Sequence, residues 1–208
     1  AWGGSMAIRT EVFRKVGLDK LWPNILSDDL SLSHAVKKAG LKIAFVPACL
    51  VASYESMTWG KLYEFARRQF LITRVYAFRT WLFGLFSSVF SVLGFWGGII
   101  IAVLALSWFG PDHELVLFEK IIILLLPAVF FIGQLVRAIL RQKMIRILLE
   151  KDSKRMNMAC VVDLLFFWLW SPIMMFFIIS SAFGREVCWR SIRYKLSSPT
   201  KTEIITRD

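Results

Sequence analysis

The chain has 208 residues, 57% of them hydrophobic and 15% aromatic, which is too apolar for an ordinary soluble domain. It also carries 26 Lys and Arg against 15 Asp and Glu, a net charge of +11. A nucleic-acid binder would account for the charge but not for the apolar blocks; apolar blocks in a bilayer with basic blocks at its surface account for both. Cys49, Cys160 and Cys188 are odd in number and widely spaced, so neither a disulfide framework nor a zinc site is implied.

The first residues, "AWGGSMAIR", show neither an initiator Met nor a signal pattern and read like the middle of a domain. The chain is therefore expected to be the C-terminal part of a longer protein. Residues 1–60 read as α/β. Met6 to Ile8 is a short strand-like run. A helix starts near Thr10, which can cap it, and stops at Gly17. A second helix covers "DLSLSHAVKKAG", with Leu32, Ala35, Val36 and Ala39 on one face and Gly40 past its end. Asp28 and Asp29 stand at its start, where a cap or a rigid catalytic carboxylate could both sit. "LKIAFVP" follows as a buried strand ended by Pro47. The histidines, His34 and His113, lie near no nucleophile pattern.

Residues 61–80 read as a basic interfacial helix with five Lys and Arg immediately before an apolar block. Arg67 and Arg74 are seven apart and share a face; Arg68 lies about 100° round. Membrane segments are expected at about 81–109, 115–137 and 158–183. The first has a Trp at each end, suited to an aromatic belt. Pro127 and Gly133 inside the second are tolerable in a membrane helix. The third carries Asp163 one turn from its basic flank, where interfacial solvation is the plain reading, and Ser171-Pro172 in its middle as the place where it would break. A basic link, 137–157, and a basic tail, 185–208, complete the chain. The tail alternates like a strand through Val187, Trp189 and Tyr194.

Charge orders these blocks. Residues 1–80 have twelve basic and six acidic side chains, and residues 137–157 have seven and two. The positive-inside rule places both in the cytosol and the acidic link "FGPDHELVLFEK" outside. Three full crossings would put the basic tail outside, so the third segment is expected to be re-entrant or interfacial and the tail cytosolic.

Three stretches resemble a known family. "GGSMAIRTEVFRKVGL" resembles the Gly-rich, acceptor-side segment of family 2 glycosyltransferases that are processive or modify lipids. "LSDDLSLSHAVKKAGLKIAFVP" resembles the Thr/Ser-Glu/Asp-Asp segment that follows it there. "WRSIRYKLSSPTKTEII" resembles the terminal Trp-Arg-x-x-Arg-Tyr-Arg-Leu segment of ceramide glucosyltransferases. The resemblance implies the C-terminal part of a GT-A (Rossmann-like) catalytic domain, followed by about three hydrophobic membrane segments. It implies inverting transfer of a hexose, glucose from UDP-glucose foremost, to the hydroxyl of a sphingolipid-like or other membrane lipid. It places the catalytic base on Asp29 and substrate contacts on Asp28, Gly3, Gly4, Arg68, Trp189 and Arg190. The glycines could simply make a turn or could allow close backbone approach to acceptor or sugar. The family's Arg/Gln-x-x-Arg-Trp motif falls on Arg68, Leu71 and Ile72, so its Arg-Trp pair is absent; a shifted register would start at Gln69. Arg74 could supply the missing positive charge to a diphosphate. A divalent cation, Mg2+ or Mn2+, is implied, with its Asp-x-Asp ligands upstream of this chain. The partners implied are a nucleotide sugar, a lipid acceptor and the bilayer, with no nucleic acid. Rival readings are a polysaccharide synthase, a degenerate transferase, and a non-catalytic membrane scaffold or transporter subunit.

Overall fold

A computed structural model describes residues 1, 3–108, 117–189 and 191–207. The acidic link therefore lies largely outside the described residues. The fold is mostly helical, with one small sheet, and divides into two compact units. One holds residues 1–84 together with 177–208; the other holds residues 85–176.

The first unit begins with α1 (Thr10–Lys15), α2 (Leu18–Leu21) and α3 (Asp28–Lys38). Gly17 separates the first two in a left-handed conformation, φ 73°. Thr10 is the first helical residue rather than the cap; that position belongs to Arg9, whose side chain makes no capping bond. Helix α3 ends as its sequence prescribes. Lys37 and Lys38 face the negative end of the dipole, and Gly40 turns left-handed at φ 71°. The Leu41 N–H then reaches the Val36 carbonyl at 3.1 Å and the Gly40 N–H reaches Lys37 at 3.0 Å. Leu32 and Val36 bury against Leu18, with Met6, Ile8, Phe13, Trp22 and Ala35 around them. Ala39, expected on this face, is exposed.

Neither strand expected in this region forms. Met6 and Ile8 pack as irregular chain against the α3 core. Leu41 to Val46 is irregular and exposed, with Phe45 at 70%. A strand exists only where a neighbour takes its N–H and C=O groups. Among the described residues the only sheet is at the other end of the chain, so these apolar residues have no ladder to join. A parallel, Rossmann-like sheet is likewise not found among the described residues.

Helix α4 (Trp59–Tyr76) matches the expected basic helix, capped by Thr58, whose Oγ1 accepts from the Lys61 N–H at 3.4 Å. The tail folds into an antiparallel sheet, β1 (Glu186–Trp189), β2 (Ile192–Ser198) and β3 (Lys201–Arg207), in that order. Val187 pairs with Tyr194, so both point to one face together with Leu196. That face covers α4: Leu71, Val187 and Leu196 are buried together, with Ile72, Val75 and Tyr76 around them. Leu71 is fully buried at the position where the glycosyltransferase motif would carry an arginine.

Two helical stretches are long and apolar enough to cross a membrane, Phe78–Ala105 and Phe118–Leu148. The first comprises α5 (Phe78–Val92), a wide π turn (Leu93–Gly97) and α6 (Gly98–Trp108); the second lies in α7 (Leu117–Leu148). Trp81, expected in an interfacial belt, is instead buried, and its indole N–H donates to Ser181 Oγ at 2.9 Å. An indole fits inside when its N–H finds an acceptor.

The third apolar block is bent. Helix α8 (Asn157–Leu165) and the run Phe167–Ser180, which contains α9 (Trp170–Ser180), meet at 65°. The break falls at Phe166, not at Ser171-Pro172. Pro172 is the third residue of α9, where its missing N–H would be unpaired in any case. Asp163 is not solvated at an interface as expected. Arg141 donates to it twice, at 2.6 and 3.1 Å, and Trp170 donates at 2.8 Å. Gln142 is a further donor.

Candidate functional site

The acidic pair is positioned by Ser27, which takes the N-cap of α3. Ser27 Oγ accepts weakly from the Leu30 N–H at 3.4 Å and donates to Asp29 Oδ1 at 2.6 Å. Asp29 Oδ1 in turn accepts the Leu30 N–H at 2.7 Å. Asp28 is the first helical residue rather than the cap, and its side chain accepts its neighbour's N–H, at 2.9 Å. Ser27 is 5% exposed, so this end of the helix is anchored rather than frayed. One Asp29 oxygen is thus fixed by two donors. The other, Oδ2, points at Gly3: a Cβ on that glycine would stand 3.3 Å from it. Gly3 is the residue type that lets the chain pass this close to the carboxylate without crowding it. Gly4 is exposed beside it. The sequence-predicted residues Gly3, Asp28 and Asp29 are therefore brought together.

A second cluster lies on α4. Arg74 donates to the carbonyls of Ala182 and Gly184, Arg67 to Phe183 at 3.0 Å, and Arg68 to Cys188 at 3.5 Å. These carbonyls lie in the turn after α9 and in β1. Three guanidiniums on one helix hold the start of the tail. Burial lowers the Arg74 pKa from its ordinary value, and the nearby Arg185 and Arg67 charges lower it further. Arg68 stands beside β1, which carries the exposed Trp189. Arg190 lies outside the described residues.

The two clusters share one structural link. The Leu26 N–H donates to Tyr76 Oη at 2.9 Å, tying the residue before Ser27 to the end of α4. Next to Arg74 lies an open cleft of about 740 Å³, whose polar lining includes Arg185, Glu186, Lys195, Ser197 and Ser198. Arg185 and Lys195 were not singled out in the sequence. They meet only once β1 pairs with β2, a juxtaposition that spacing alone does not reveal. Ser27 was legible, since a serine directly before an apolar-periodic helix is a capping signal.

Among the described residues, no group of three or more His, Cys, Asp or Glu side chains could hold a metal ion. The divalent cation implied by the resemblance was expected on ligands upstream of this chain, so no chemical step is routed through it here. No protein family, no curated protein and no solved structure matches this chain.

Proposed function

We propose that this chain is the membrane-bearing part of an inverting hexosyltransferase of the GT-A, ceramide glucosyltransferase-like kind, with its catalytic part facing the cytosol. It would move a hexose, foremost glucose from UDP-glucose, to the hydroxyl of a membrane lipid. The observation that carries the proposal is the setting of Asp29. A base must be held still at one oxygen and open at the other. Asp29 Oδ1 is tied to Ser27 and Leu30, while Oδ2 faces a glycine. Oδ2 takes the proton of the acceptor hydroxyl as that oxygen bonds to the anomeric carbon. The bond from that carbon to the nucleotide diphosphate breaks and the diphosphate leaves with the electron pair. Arg68, beside β1 and Trp189, is the cation assigned to the diphosphate. Arg74 is already committed to the tail carbonyls, which makes it a residue that holds the tail for this reaction.

The test is Asp29→Asn in the full-length protein, in membranes given labelled nucleotide sugars, with the lipid product analysed. The amide keeps an oxygen for the Ser27 and Leu30 donors, so the fold is retained. Turnover falls by roughly 10²–10⁴-fold, the usual worth of a general base. Asp19→Asn, at an exposed carboxylate of α2, stays near wild type. Turnover of Asp29→Asn within threefold of wild type would end the assignment.

A further inference from the structure

The cleft beside Arg74 has an uneven chemistry. Arg74, Arg185 and Lys195 line it, against a single carboxylate, Glu186. Glu203, across from Lys195 in the sheet, is engaged by Lys201 at 2.8 Å. Arg67 adds to the same positive field, since its charge is felt at Arg74. Such a cluster of like charges calls for an anion. The Ser198 hydroxyl adds a polar group, the Ser197 hydroxyl being engaged by Glu203, and Val75, Phe78 and Pro199 give the cleft an apolar side.

Its position narrows the anion. Phe78 is the first residue of the first membrane-crossing stretch and is 55% exposed. Ala182 and Gly184, also in the lining, directly follow α9, the last apolar helix. The cleft therefore opens where two apolar helices begin and end, at the depth of lipid headgroups. At about 740 Å³ it exceeds a bare phosphate and lies within the ordinary range for small-molecule sites.

We propose that this cleft binds the phosphate of an anionic membrane phospholipid, with Arg185 and Lys195 as the recognising cations and Phe78 against the upper acyl chain. Arg and Lys beside a serine hydroxyl are the groups that bind phosphate by charge-assisted hydrogen bonds. Basic residues at the cytosolic face already draw anionic lipid. Arg74 borders this site and also holds the tail, but the recognising cations, Arg185 and Lys195, are assigned no part in the transfer chemistry, and the proposal does not depend on it.

The test uses the full chain purified in a neutral detergent, with its thermal unfolding followed during titration. Short-chain phosphatidic acid raises the midpoint, as any ligand of the folded state does. Short-chain phosphatidylcholine and soluble pyrophosphate do not. Arg185→Gln with Lys195→Gln weakens the apparent affinity by about tenfold per cation removed. A control with Lys37→Gln and Lys38→Gln, away from the cleft, keeps the wild-type response. Arg185 also donates to the Ser197 carbonyl at 2.8 Å, so if the double variant does not fold, Lys195→Gln alone is read and shows about a tenfold loss. The proposal is overturned if the cleft variants respond like wild type, or if the control pair loses the response equally. A response to pyrophosphate equal to that for phosphatidic acid would also overturn it, by making the anion a free one.

Discussion

Asp163 accepts hydrogen bonds from four N–H groups on three residues, and its side chain is 13% exposed. A carboxylate in an apolar helix is tolerable only with such a set of donors. The sequence showed Asp163 and the basic flank, but not that Arg141, on another helix, would face it. Pairing across 22 residues depends on how α7 and α8 pack, which no local pattern encodes. The consequence is testable. Asp163→Leu leaves the Arg141 guanidinium without its partner, and Arg141→Leu leaves the carboxylate short of two donors. Each lowers stability by about 1–3 kcal/mol, less than for a fully enclosed pair because Arg141 is 40% exposed. The double replacement loses less than the two single losses summed, since neither charge is left facing an apolar partner, although Gln142 and Trp170 still lose their acceptor. Thermal unfolding of the three variants in detergent reads this directly. Additive losses in the double variant would show that the pair is not coupled. Asp28 and Asp29 were legible as a helix start, yet the different settings of their carboxylates were not. They rest on Ser27 taking the cap and on Gly3 passing close to one oxygen.

At the scale of elements, the apolar blocks were plain from the sequence because length and hydropathy alone define them. Their packing was not. Gly94 and Gly98 are four apart and share a face of the first crossing helix. The Phe130 ring of α7 occupies the place where a Gly94 Cβ would lie. At Gly98 a Cβ would meet the Pro127 ring at 3.2 Å. Small residues spaced in this way let two membrane helices approach closely. The proline that would weaken a soluble helix is here a packing surface. Gly133, on α7, has nothing within 4 Å of its missing Cβ. Replacing each glycine by Ala should therefore give a graded series. Gly94→Ala destabilises most, because a whole aromatic ring must move. Gly98→Ala destabilises less, since a few tenths of an ångström suffice. Gly133→Ala is neutral or stabilising by up to about 1 kcal/mol, the helix-propensity gain over glycine. Unfolding midpoints in that order support the packing, and a Gly94→Ala variant as stable as wild type would refute it. The strand expected at Leu41 to Val46 failed for the complementary reason: its apolar run suits a buried strand, but among the described residues no neighbouring strand pairs with it.

At the scale of the molecule, packing bears on the conflict that charge counting poses. Three full crossings would carry the basic tail to the side opposite α4. Yet β1 and β2 bury Val187 and Leu196 against Leu71 of α4, and three α4 arginines hold the chain from Ala182 to Cys188. Elements that share a core lie on one side of a bilayer, so this packing predicts an even number of crossings in the chain between them. If the two long apolar helices each cross, the prediction is that the pair bent by 65° enters and leaves by the same face. A bent pair can do this only where its broken backbone is shielded by protein. The free cysteines report the outcome. Cys49 and Cys188 are exposed and lie in the unit that holds α4 and the tail, whereas Cys160 is buried. In sealed vesicles of one orientation, a membrane-impermeant thiol reagent labels Cys49 and Cys188 from the same face, each tested with the other two cysteines changed to serine. Labelling of Cys188 only from the face opposite to Cys49 would require an odd number of crossings. That result is incompatible with α4 and the tail sharing one core.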